Sequence, residues 1–356
     1  MTRTLRRPDL RAFDPAAAGD AAAGVFGLPF EAEESSVLLV PAPWEPTTSY
    51  GKGTAAGPSL IRHASAQLDL LDPDLEELGL GAPWKHGIHM LDPDPDHVAW
   101  NEAASAAAAI ATNEQATAAS RRSARAQVND LGRKFHASME ARASALLDSE
   151  RRLGVVGGDH SVPLGVLRAL GARRGEFGIL HVDAHADLRL AYEGFEASHA
   201  SIMYNVLEQV PSVSALVQVG IRDLSAEELE RARTSARVHL HLEGATRRRM
   251  FAGATWQRCV EEMLAPLPRE VYISFDIDGL DPALCPGTGT PVPGGLSFAE
   301  AMDLIWQVVR SGREVVGFDL CEVASTGDGE WDGNVGARVL YRLCGALLHG
   351  AGARDV

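Results

Sequence analysis

The feature that most constrains the fold is a series of short, continuous apolar segments separated by longer helical stretches. Such segments predict strands that are buried on both faces. Seven are predicted, at 37–43, 153–156, 178–182, 215–219, 237–241, 270–275 and 314–318. Helical patterns lie at 57–69, 98–112, 121–149, 163–171, 200–208, 225–233, 255–264, 297–311 and 334–348. This alternation predicts an α/β fold with a parallel sheet and helices on both of its faces. Sheets of this kind bind ligands at their carboxyl edge.

The chain length of 356 residues allows one large domain or two small ones. No repeat or low-complexity linker divides it, so we predict a flexible N-terminal arm at 1–35 and a single domain at 36–356. The stretch at about 112–150 is rich in alanine and charge, with apolar residues such as Phe135 and Met139 on one helical face. It predicts a helical insertion that packs on the domain surface or on a partner subunit.

Composition excludes several classes of function. The formal net charge is −15, with 33 Lys and Arg against 48 Asp and Glu and no basic stripe, which argues against nucleic-acid binding. No stretch approaches the roughly 18 consecutive apolar residues of a membrane helix. The four cysteines form no CxxC pair, so neither a zinc ribbon nor a disulfide framework is indicated. We therefore expect a cytoplasmic protein without a membrane partner.

Three acidic and imidazole-bearing clusters follow predicted strands directly: GGDH at 157–160, DAHAD at 183–187 and DID at 276–278. Side chains alternate faces in an extended chain, so the three charged positions of the second cluster share a side, as do the two aspartates of the third. Each motif alone is more often a turn or a helix cap than a ligand site. Together, in order at successive strand ends, they predict one shared site.

Four carboxylates at an apolar sheet edge would repel one another and lose hydration, which divalent cations would compensate. Two such ions balance four aspartates, and two imidazoles add neutral nitrogen ligands. The predicted ligands are His160, Asp183, His185, Asp187, Asp276 and Asp278. An oxygen-rich set without thiolates favours Mn²⁺, with Ni²⁺ admissible. A pair of ions about 3.5–4 Å apart activates water, so metal-assisted hydrolysis is predicted.

The segments GVVGGDHS, HVDAHADLR and SFDIDGLDPALCPGTGTPVPGGLS resemble the metal-binding signatures of the ureohydrolase family, which includes arginases, agmatinases, formimidoylglutamases and guanidine hydrolases. The resemblance extends from about Ser36 to Leu348. It implies a three-layer α/β/α fold around a mostly parallel eight-stranded sheet. It also implies a two-metal centre that cleaves a guanidinium C–N bond, and a homo-oligomer, trimeric or hexameric.

The resemblance also implies roles for single residues. Asp183 and Asp276 would bridge the ions, while the other four ligands would complete the two shells as the pairs His160 with Asp187 and His185 with Asp278. His199 falls where the family has a histidine that passes a proton to the leaving amine, a task that suits a near-neutral pKa. On its own, this histidine would more often begin a helix after a Ser198 cap.

Glu322 matches the family's glutamate that receives the guanidinium, since a carboxylate can accept two of its N–H groups. Without the family context, it could equally be a strand-edge glutamate paired with an arginine. Thr288 and Thr290 of the Gly-Thr-Gly-Thr loop, with Tyr192 and Phe195, are the predicted pocket residues. His181, Asp159 and Asp319 are predicted to support the ligands by hydrogen bonds or packing rather than to bind metal.

The substrate is predicted to be a small guanidinium compound. Ser198-His199-Ala200 differs from the His-Gly or His-Asn continuation of arginases and agmatinases, and looks like the guanidine-hydrolase branch. The main hypothesis is therefore hydrolysis of guanidine to urea and ammonia. The alternatives are hydrolysis of N-alkylated guanidines or biguanides, as in metformin hydrolase, and agmatinase activity. Non-enzymatic alternatives are a scaffold subunit for an active paralogue and a guanidinium sensor.

Overall fold

The computed structural model describes residues 10–349 except 21, 22, 78, 80, 150, 326, 328 and 329. Within these residues, eight strands form one sheet. The strands are β1 (Val37–Ala42), β2 (Ile88–Met90), β3 (Arg152–Gly157), β4 (Phe177–Val182), β5 (Val213–Ile221), β6 (Val238–Leu242), β7 (Glu270–Asp276) and β8 (Glu314–Cys321).

The strand order is β2-β1-β3-β8-β7-β4-β5-β6, and every neighbouring pair is parallel. The predicted three-layer α/β/α fold is therefore confirmed, and the sheet is parallel throughout. All carboxyl ends lie along one edge of such a sheet. Strands that are distant in sequence, such as β3 and β8, become neighbours there.

Helices cover both faces of the sheet and its β6 edge. They are α1 (Gly57–Ser65), α2 (Pro73–Glu76), α3 (Pro95–Thr112), α4 (Ala118–Leu147), α5 (Leu164–Arg173), α6 (Ile202–Gln209), α7 (Ala226–Thr234), α8 (Glu243–Phe251), α9 (Trp256–Leu264), α10 (Phe298–Arg310) and α11 (Trp331–His349). Several begin at the caps that their sequences provide. Ser225 and Ser297 each form a capping box with a glutamate three residues later, and this fixes the starts of α7 and α10.

Strand side chains divide between two cores, as the two-residue period of a strand requires. Val37 and Leu39 of β1 face a core shared with α1, α9, α10 and α11. Leu38 and Val40 of the same strand face a core shared with α4, α5 and α6. Burial on both faces explains why these strands are continuous apolar runs in the sequence.

Three numbered elements escape the sequence analysis. Helix α2 has only four residues, of which Leu75 alone is buried, so it shows no helical period. Strand β2 has only three residues at the sheet margin and pairs with β1 alone, so no apolar run indicates it. Helix α8, with the sequence EGATRRRMF, has only Thr246 buried, so it lacks the apolar stripe by which an amphipathic helix is recognised.

The segment predicted as a helical insertion forms α4. Val128, Phe135, Met139 and Ala143 are buried along one face, and the helix packs between α3 and α5. It is therefore an integral part of one helical layer, with its apolar face directed to its own domain. Any contact of its outer face with a partner subunit stays a prediction.

Part of the predicted N-terminal arm is packed rather than free. Val25, Phe26, Leu28 and Phe30 are at most 4% exposed and belong to the core around α1 and α11. The flexible-arm prediction is thus wrong for 25–30, because these apolar side chains are buried, whereas residues 1–9 lie outside the described part. The boundary at residue 36 stays a prediction. Among the described helices, none combines the length and apolarity needed to cross a membrane.

Candidate metal centre and cavity

The strand order brings the predicted chemical groups to one place. Strands β3, β8, β7 and β4 are successive neighbours, and each ends in one or more of these residues. His160 follows β3, Glu322 follows β8, Asp276 ends β7, and Asp183 follows β4. The shared carboxyl edge expected from the alternation of strands and helices therefore carries all six predicted ligands.

Asp183 lies at the centre of this group. Its Oδ2 is 3.0 Å from His160 Nδ1 and 2.8 Å from His181 Nε2. Its Oδ1 accepts the His185 backbone N–H at 2.6 Å and is 3.4 Å from His185 Nδ1. Asp187 Oδ2 lies 3.4 Å from His160 Nδ1. One carboxylate thus contacts three imidazoles, which is the geometry of a shared donor.

The remaining ligand candidates complete a second group. Asp278 Oδ2 is 3.0 Å from His185 Nδ1, and the Thr290 hydroxyl donates to the same oxygen at 3.2 Å. Asp276 Oδ2 is 3.2 Å from His160 Nδ1, while its Oδ1 accepts the Asp278 N–H at 2.8 Å. Asp276 therefore links the two groups through side chain and backbone.

Hydrogen bonds behind the centre orient the imidazoles. His160 Nε2 contacts the Ser274 hydroxyl at 2.8 Å, and this hydroxyl donates to Asp319 at 3.1 Å. Both ring nitrogens of His181 have partners, Asp183 and Gln218. Because Nε2 of His160 is engaged in this way, its Nδ1 is the atom that faces the carboxylates.

Two of these residues have left-handed backbones. Asp187 has φ 53° and Glu322 has φ 63°, a region that non-glycine residues enter rarely and at an energetic cost. Each directs a carboxylate toward the same crevice. Phe26 and Glu193 also have left-handed backbones, at φ 59° and 54°, so this conformation is not confined to the acidic residues of the site.

The carboxylates and imidazoles perturb one another strongly. Burial and the charge of Asp278 raise the pKa of Asp276 well above its usual value, and burial with the charge of Asp183 raises the pKa of Asp187 to about 6. Burial would lower the pKa of His160, but hydrogen bonds to the surrounding aspartates raise it well above normal. Negative charge is concentrated here, and positive charge must compensate it.

The donor set fits divalent cations. Two of the candidate groups consist of nitrogen and oxygen ligands alone, and within each group these atoms lie within 4.8 Å of one another. One group is His160, His181, Asp183 and Asp187, and the other is Asp183, His185 and Asp278. Asp183 belongs to both, as a bridging ligand would. Protons on the imidazoles are one way to balance the aspartates, and cations are the other. Carboxylate oxygens with a minority of imidazole nitrogens suit Mn²⁺ and similar ions.

A cavity of about 160 Å³ opens beside the centre. It contacts two of the predicted ligands and the predicted proton carrier His199. Its lining residues are Ser49, His185, Asp187, Arg189, Tyr192, His199, Ala200, Asp223, Glu228 and Thr290. The sequence-predicted pocket residues Tyr192 and Thr290 are thus in the wall.

His199 is held by a chain of hydrogen bonds that leads to Asp159. Its backbone N–H donates to the Thr47 hydroxyl at 3.1 Å, and its Nδ1 is 3.4 Å from the same oxygen. The hydroxyl donates to Asp159 at 2.8 Å, and Asp159 also accepts the Ser161 hydroxyl at 2.5 Å. Burial and the nearby His185 lower the pKa of His199. The imidazole is therefore neutral, and it is a weaker base than the near-neutral histidine that the sequence analysis expects.

Glu322 is buried next to the centre but does not line the cavity. Its Oε1 accepts the His160 backbone N–H at 2.9 Å, and burial with the charge of Asp159 raises its pKa well above normal. A side chain at Gly289 would approach its Oε2 to 3.2 Å, so glycine keeps this oxygen accessible. Gly51 N–H donates to the Gly289 carbonyl at 2.8 Å, which joins the loops after β1 and β7.

Two predicted pocket residues are placed differently. Phe195 is only 1% exposed and packs with Ala107, Ala124 and Val128 of α3 and α4, so its assignment to the pocket is wrong. Its aromatic ring is attracted to the apolar helix surface, away from the charged cavity. Thr288 is buried outside the lining, next to Gly289, and its hydroxyl has no hydrogen-bond partner among the described residues.

Sequence reasoning missed several residues of the site. Asp223 and Glu228 follow β5, and Asp223 could have been found by the same signal as Asp183, an acid just after an apolar run. Arg189 belongs to the DAHADLR motif, but the sequence gives no reason to assign it a role in the site. Thr47 belongs to a Gly- and Pro-containing loop after β1, where nothing in the sequence distinguishes it from its neighbours.

Comparison with known proteins agrees with this geometry. A family model described as the Arginase family matches residues 35–345. The N(1)-aminopropylagmatine ureohydrolase of Thermus thermophilus is 35% identical over 301 residues, which cover 83% of this chain and 85% of that protein. An agmatinase of Bacillus cereus is 29% identical over 306 residues, covering 83% and 86%.

Solved structures show the same fold. The arginase from Medicago truncatula superposes with a TM-score of 0.64 at 23% identity, and the match covers 88% of this chain and 87% of that one. At this identity the likeness concerns the architecture alone. The family model and the 35% identical relative both extend across the segments that carry the metal centre.

Proposed function

The chain belongs to the arginase family, hydrolases that cleave amidine C–N bonds, and from this premise we propose that its substrate is an alkylguanidine of the agmatine type. The products would be urea and the corresponding amine. The observation that carries the proposal is the convergence of the six ligand candidates, Asp276 through its contact with His160, beside a cavity that His199 lines. The agmatine type is preferred to the free guanidine of the sequence analysis because both curated relatives named above have names that refer to agmatine.

The cavity wall supports a substrate with two cationic groups. Beyond the ligand candidates, it contains the acids Asp223 and Glu228 and the base Arg189. Glu228 already accepts the Leu188 N–H at 3.1 Å and caps α7. Asp223 is exposed in the wall, which makes it the carboxylate we assign to a distal ammonium.

We propose that the six ligand candidates hold two divalent ions, Mn²⁺ or Ni²⁺, with Asp183 and Asp276 as bridging ligands. When bound, such a pair supplies a water of near-neutral pKa for attack on the guanidinium carbon. The Thr290 hydroxyl keeps the Asp278 oxygen fixed in this arrangement. His181 and Asp319 orient the imidazoles and carboxylate without themselves being ligands.

The chain's own residues would perform binding and proton transfer. Glu322 accepts guanidinium N–H groups, which requires its carboxylate form, and the incoming cation itself favours that form in a buried site. His199 would take the proton that the attacking water releases and pass it to the leaving amine nitrogen. The Thr47 hydroxyl and Asp159 keep His199 in place. We further propose a homo-oligomer, trimeric or hexameric, which size-exclusion chromatography with light scattering would measure.

A second candidate substrate is free guanidine, giving urea and ammonia. It is favoured by the small cavity and by Arg189, whose cation would repel the second charge of a longer substrate. N-alkylated guanidines and biguanides are intermediate cases, since Tyr192 offers an aromatic face to an alkylated cation.

A substrate panel decides between these proposals. Urea release would be measured with Mn²⁺ and with Ni²⁺ for agmatine, N(1)-aminopropylagmatine, guanidine, methylguanidine, dimethylbiguanide, arginine and formimidoylglutamate. The agmatine-type proposal requires the highest kcat/KM for one of the first two. Highest kcat/KM for guanidine would select the second candidate. Tight binding without release of urea from any compound would favour a sensor, and less than one ion per chain after saturation a scaffold subunit.

A further inference from the structure

The short turn after Arg189 determines one wall of the cavity. Tyr192 N–H donates to the Phe195 carbonyl at 3.2 Å, and Phe195 N–H donates back at 2.8 Å. The Tyr192 ring meets the His199 ring edge to face, with centroids 5.7 Å apart. The Arg189 guanidinium lies 5.1 Å from the same ring. Any movement of this turn would therefore displace the aromatic wall.

Helix α4 holds the turn through the side-chain amide of Asn129. Its Nδ2 donates to the Gly194 carbonyl at 3.2 Å, and its Oδ1 accepts the Glu196 N–H at 3.1 Å. An asparagine amide offers a donor and an acceptor side by side, so it can replace a strand partner for both backbone groups. Arg133, one helical turn further, lies 3.5 Å from the Glu196 carboxylate.

Packing reinforces the same attachment. Phe195 is buried in a cluster with alanines of α3 and α4. Gly194 has φ +85°, and a Cβ there would come within 2.3 Å of Arg125 Cδ, so the turn lies directly on the helix. The turn is thus bound to α4 on one side and forms the cavity on the other.

We propose that Asn129 is a positioning residue for substrate binding. It acts through Tyr192, so that α4 supports the cavity wall. This inference rests on the proposed function for the nature of the bound molecule. His199 has separate supports, because its N–H is held by Thr47 and the Ala200 carbonyl accepts the Arg189 N–H at 3.1 Å. Loss of the Asn129 amide should therefore weaken substrate binding while the proton carrier stays in place.

The first experiment is steady-state kinetics of Asn129→Ala with the compound of highest kcat/KM. We expect KM to rise about tenfold because two hydrogen bonds to the turn, both solvent-exposed, are lost, with kcat changed less than about twofold. Gln127→Ala is the matched control, since Gln127 is an exposed residue two positions earlier on the same helix. A fall in kcat at constant KM would overturn the proposal.

A double-mutant cycle with Tyr192→Ala tests the route of action. If Asn129 acts through Tyr192, Asn129→Ala should raise KM less than about twofold in the Tyr192→Ala background. Additive effects would mean that Asn129 affects the enzyme by another path, and would refute the assignment. Should Asn129→Ala fail to fold, Asn129→Asp keeps the acceptor for Glu196 and is expected to show the same KM-selective loss.

Hydrogen exchange separates this inference from the proposed function. In Asn129→Ala, backbone amides of 192–196 should exchange at least about tenfold faster than in Gln127→Ala, whatever the substrate is. Faster exchange together with no turnover of any guanidino compound would support the role of Asn129 in holding the turn and would refute the substrate assignment. Unchanged exchange would refute the role of Asn129 in holding the turn.

Discussion

His160 and His136 are almost equally buried, at 1% and 2% exposure, yet their surroundings drive their protonation in opposite directions. Burial lowers the pKa of His136 to about 3, and neither ring nitrogen has a hydrogen-bond partner among the described residues. Burial would do the same at His160, but four aspartates raise its pKa instead. Burial alone thus produces a neutral structural histidine, and converging carboxylates produce a cation site.

His199 has features of both regions. It borders the cavity like His185, but its nearest polar partner is the Thr47 hydroxyl rather than a carboxylate. Burial therefore lowers its pKa, as at His136. His199 is therefore neutral, with one ring nitrogen able to donate and one able to accept a hydrogen bond, whereas His160 and His185, among carboxylates, are suited to bind cations.

The largest effect is expected from removing the carboxylate of Asp183, which lies beside His160 and has no counterpart beside His136 among the described residues. Asp183→Asn should abolish metal binding and lower kcat/KM by at least about 10³-fold, because one bridging charge is lost. Metal per chain is measured by mass spectrometry of dialysed protein. Asp72→Asn, a buried cap of α2 outside the centre, is the control and should keep its metal. Full metal content in Asp183→Asn would contradict the bridging role.

The next prediction concerns His199, whose surroundings are intermediate between those of His160 and His136. His199→Ala should lower kcat by about 10²-fold or more through loss of the proton carrier, with metal content unchanged. His239→Ala on strand β6, away from the cavity, is the control and should retain activity. Loss of metal from His199→Ala would instead place this residue with the ligands.

Glu322→Gln tests the carboxylate that we propose binds the guanidinium group. Glutamine can still accept the His160 N–H, so the fold should be retained. Losing the charge should raise KM about 10–100-fold, with a smaller effect on kcat. Glu270→Gln, which breaks a pair with Arg174 at the opposite end of β7, should leave KM unchanged. A purely kcat-based loss would argue that Glu322 serves the reaction rather than capture.

The smallest effect is expected in the helical layer, and only in acid. His136 is neutral when folded down to about pH 3, while the unfolded chain protonates it below about 6.5. The unfolded state then binds more protons, so stability is complete above pH 6.5 and falls as pH decreases. Between pH 6.5 and 5 this histidine costs about 2 kcal/mol of the unfolding free energy.

Urea unfolding of the parent and of His136→Leu at both pH values measures this loss of unfolding free energy. The variant should lose about 2 kcal/mol less than the parent between pH 6.5 and 5. His63→Gln, at a mostly exposed position, is the control and should follow the parent. Equal pH dependence in the parent and His136→Leu would mean that His136 is reached by water or a proton acceptor in the fold.

The sequence predicts the cluster of ligand candidates better than the cavity for a physical reason. The candidate aspartates follow buried strands, and the parallel sheet brings strand ends together whatever the loops do, so the closeness of Asp183 and Asp276 could be predicted from pattern alone. The cavity depends on where loops fold back. Phe195 and Tyr192 are three residues apart and chemically alike, but only the structure shows that one faces α4 and the other the cavity.

The same distinction applies to the fold. The apolar pattern predicts β7 and α10 within one residue of their observed bounds, whereas the ends of β8 and α1 differ from the predicted ends by three and four residues. Strand β2 is too short to show a pattern, although Ile88 and Met90 are buried, and helix α8 buries only Thr246. Their existence depends on tertiary contacts that sequence periodicity does not record.

The bond between Gly51 and Gly289 has a consequence for attempts to engineer selectivity. It joins two loops from opposite halves of the chain through main-chain atoms alone, so it depends on the path of both loops rather than on a side chain. A transplanted loop of different length or path would break it. Grafts intended to change the accepted compound should therefore exchange the two loops as a single unit.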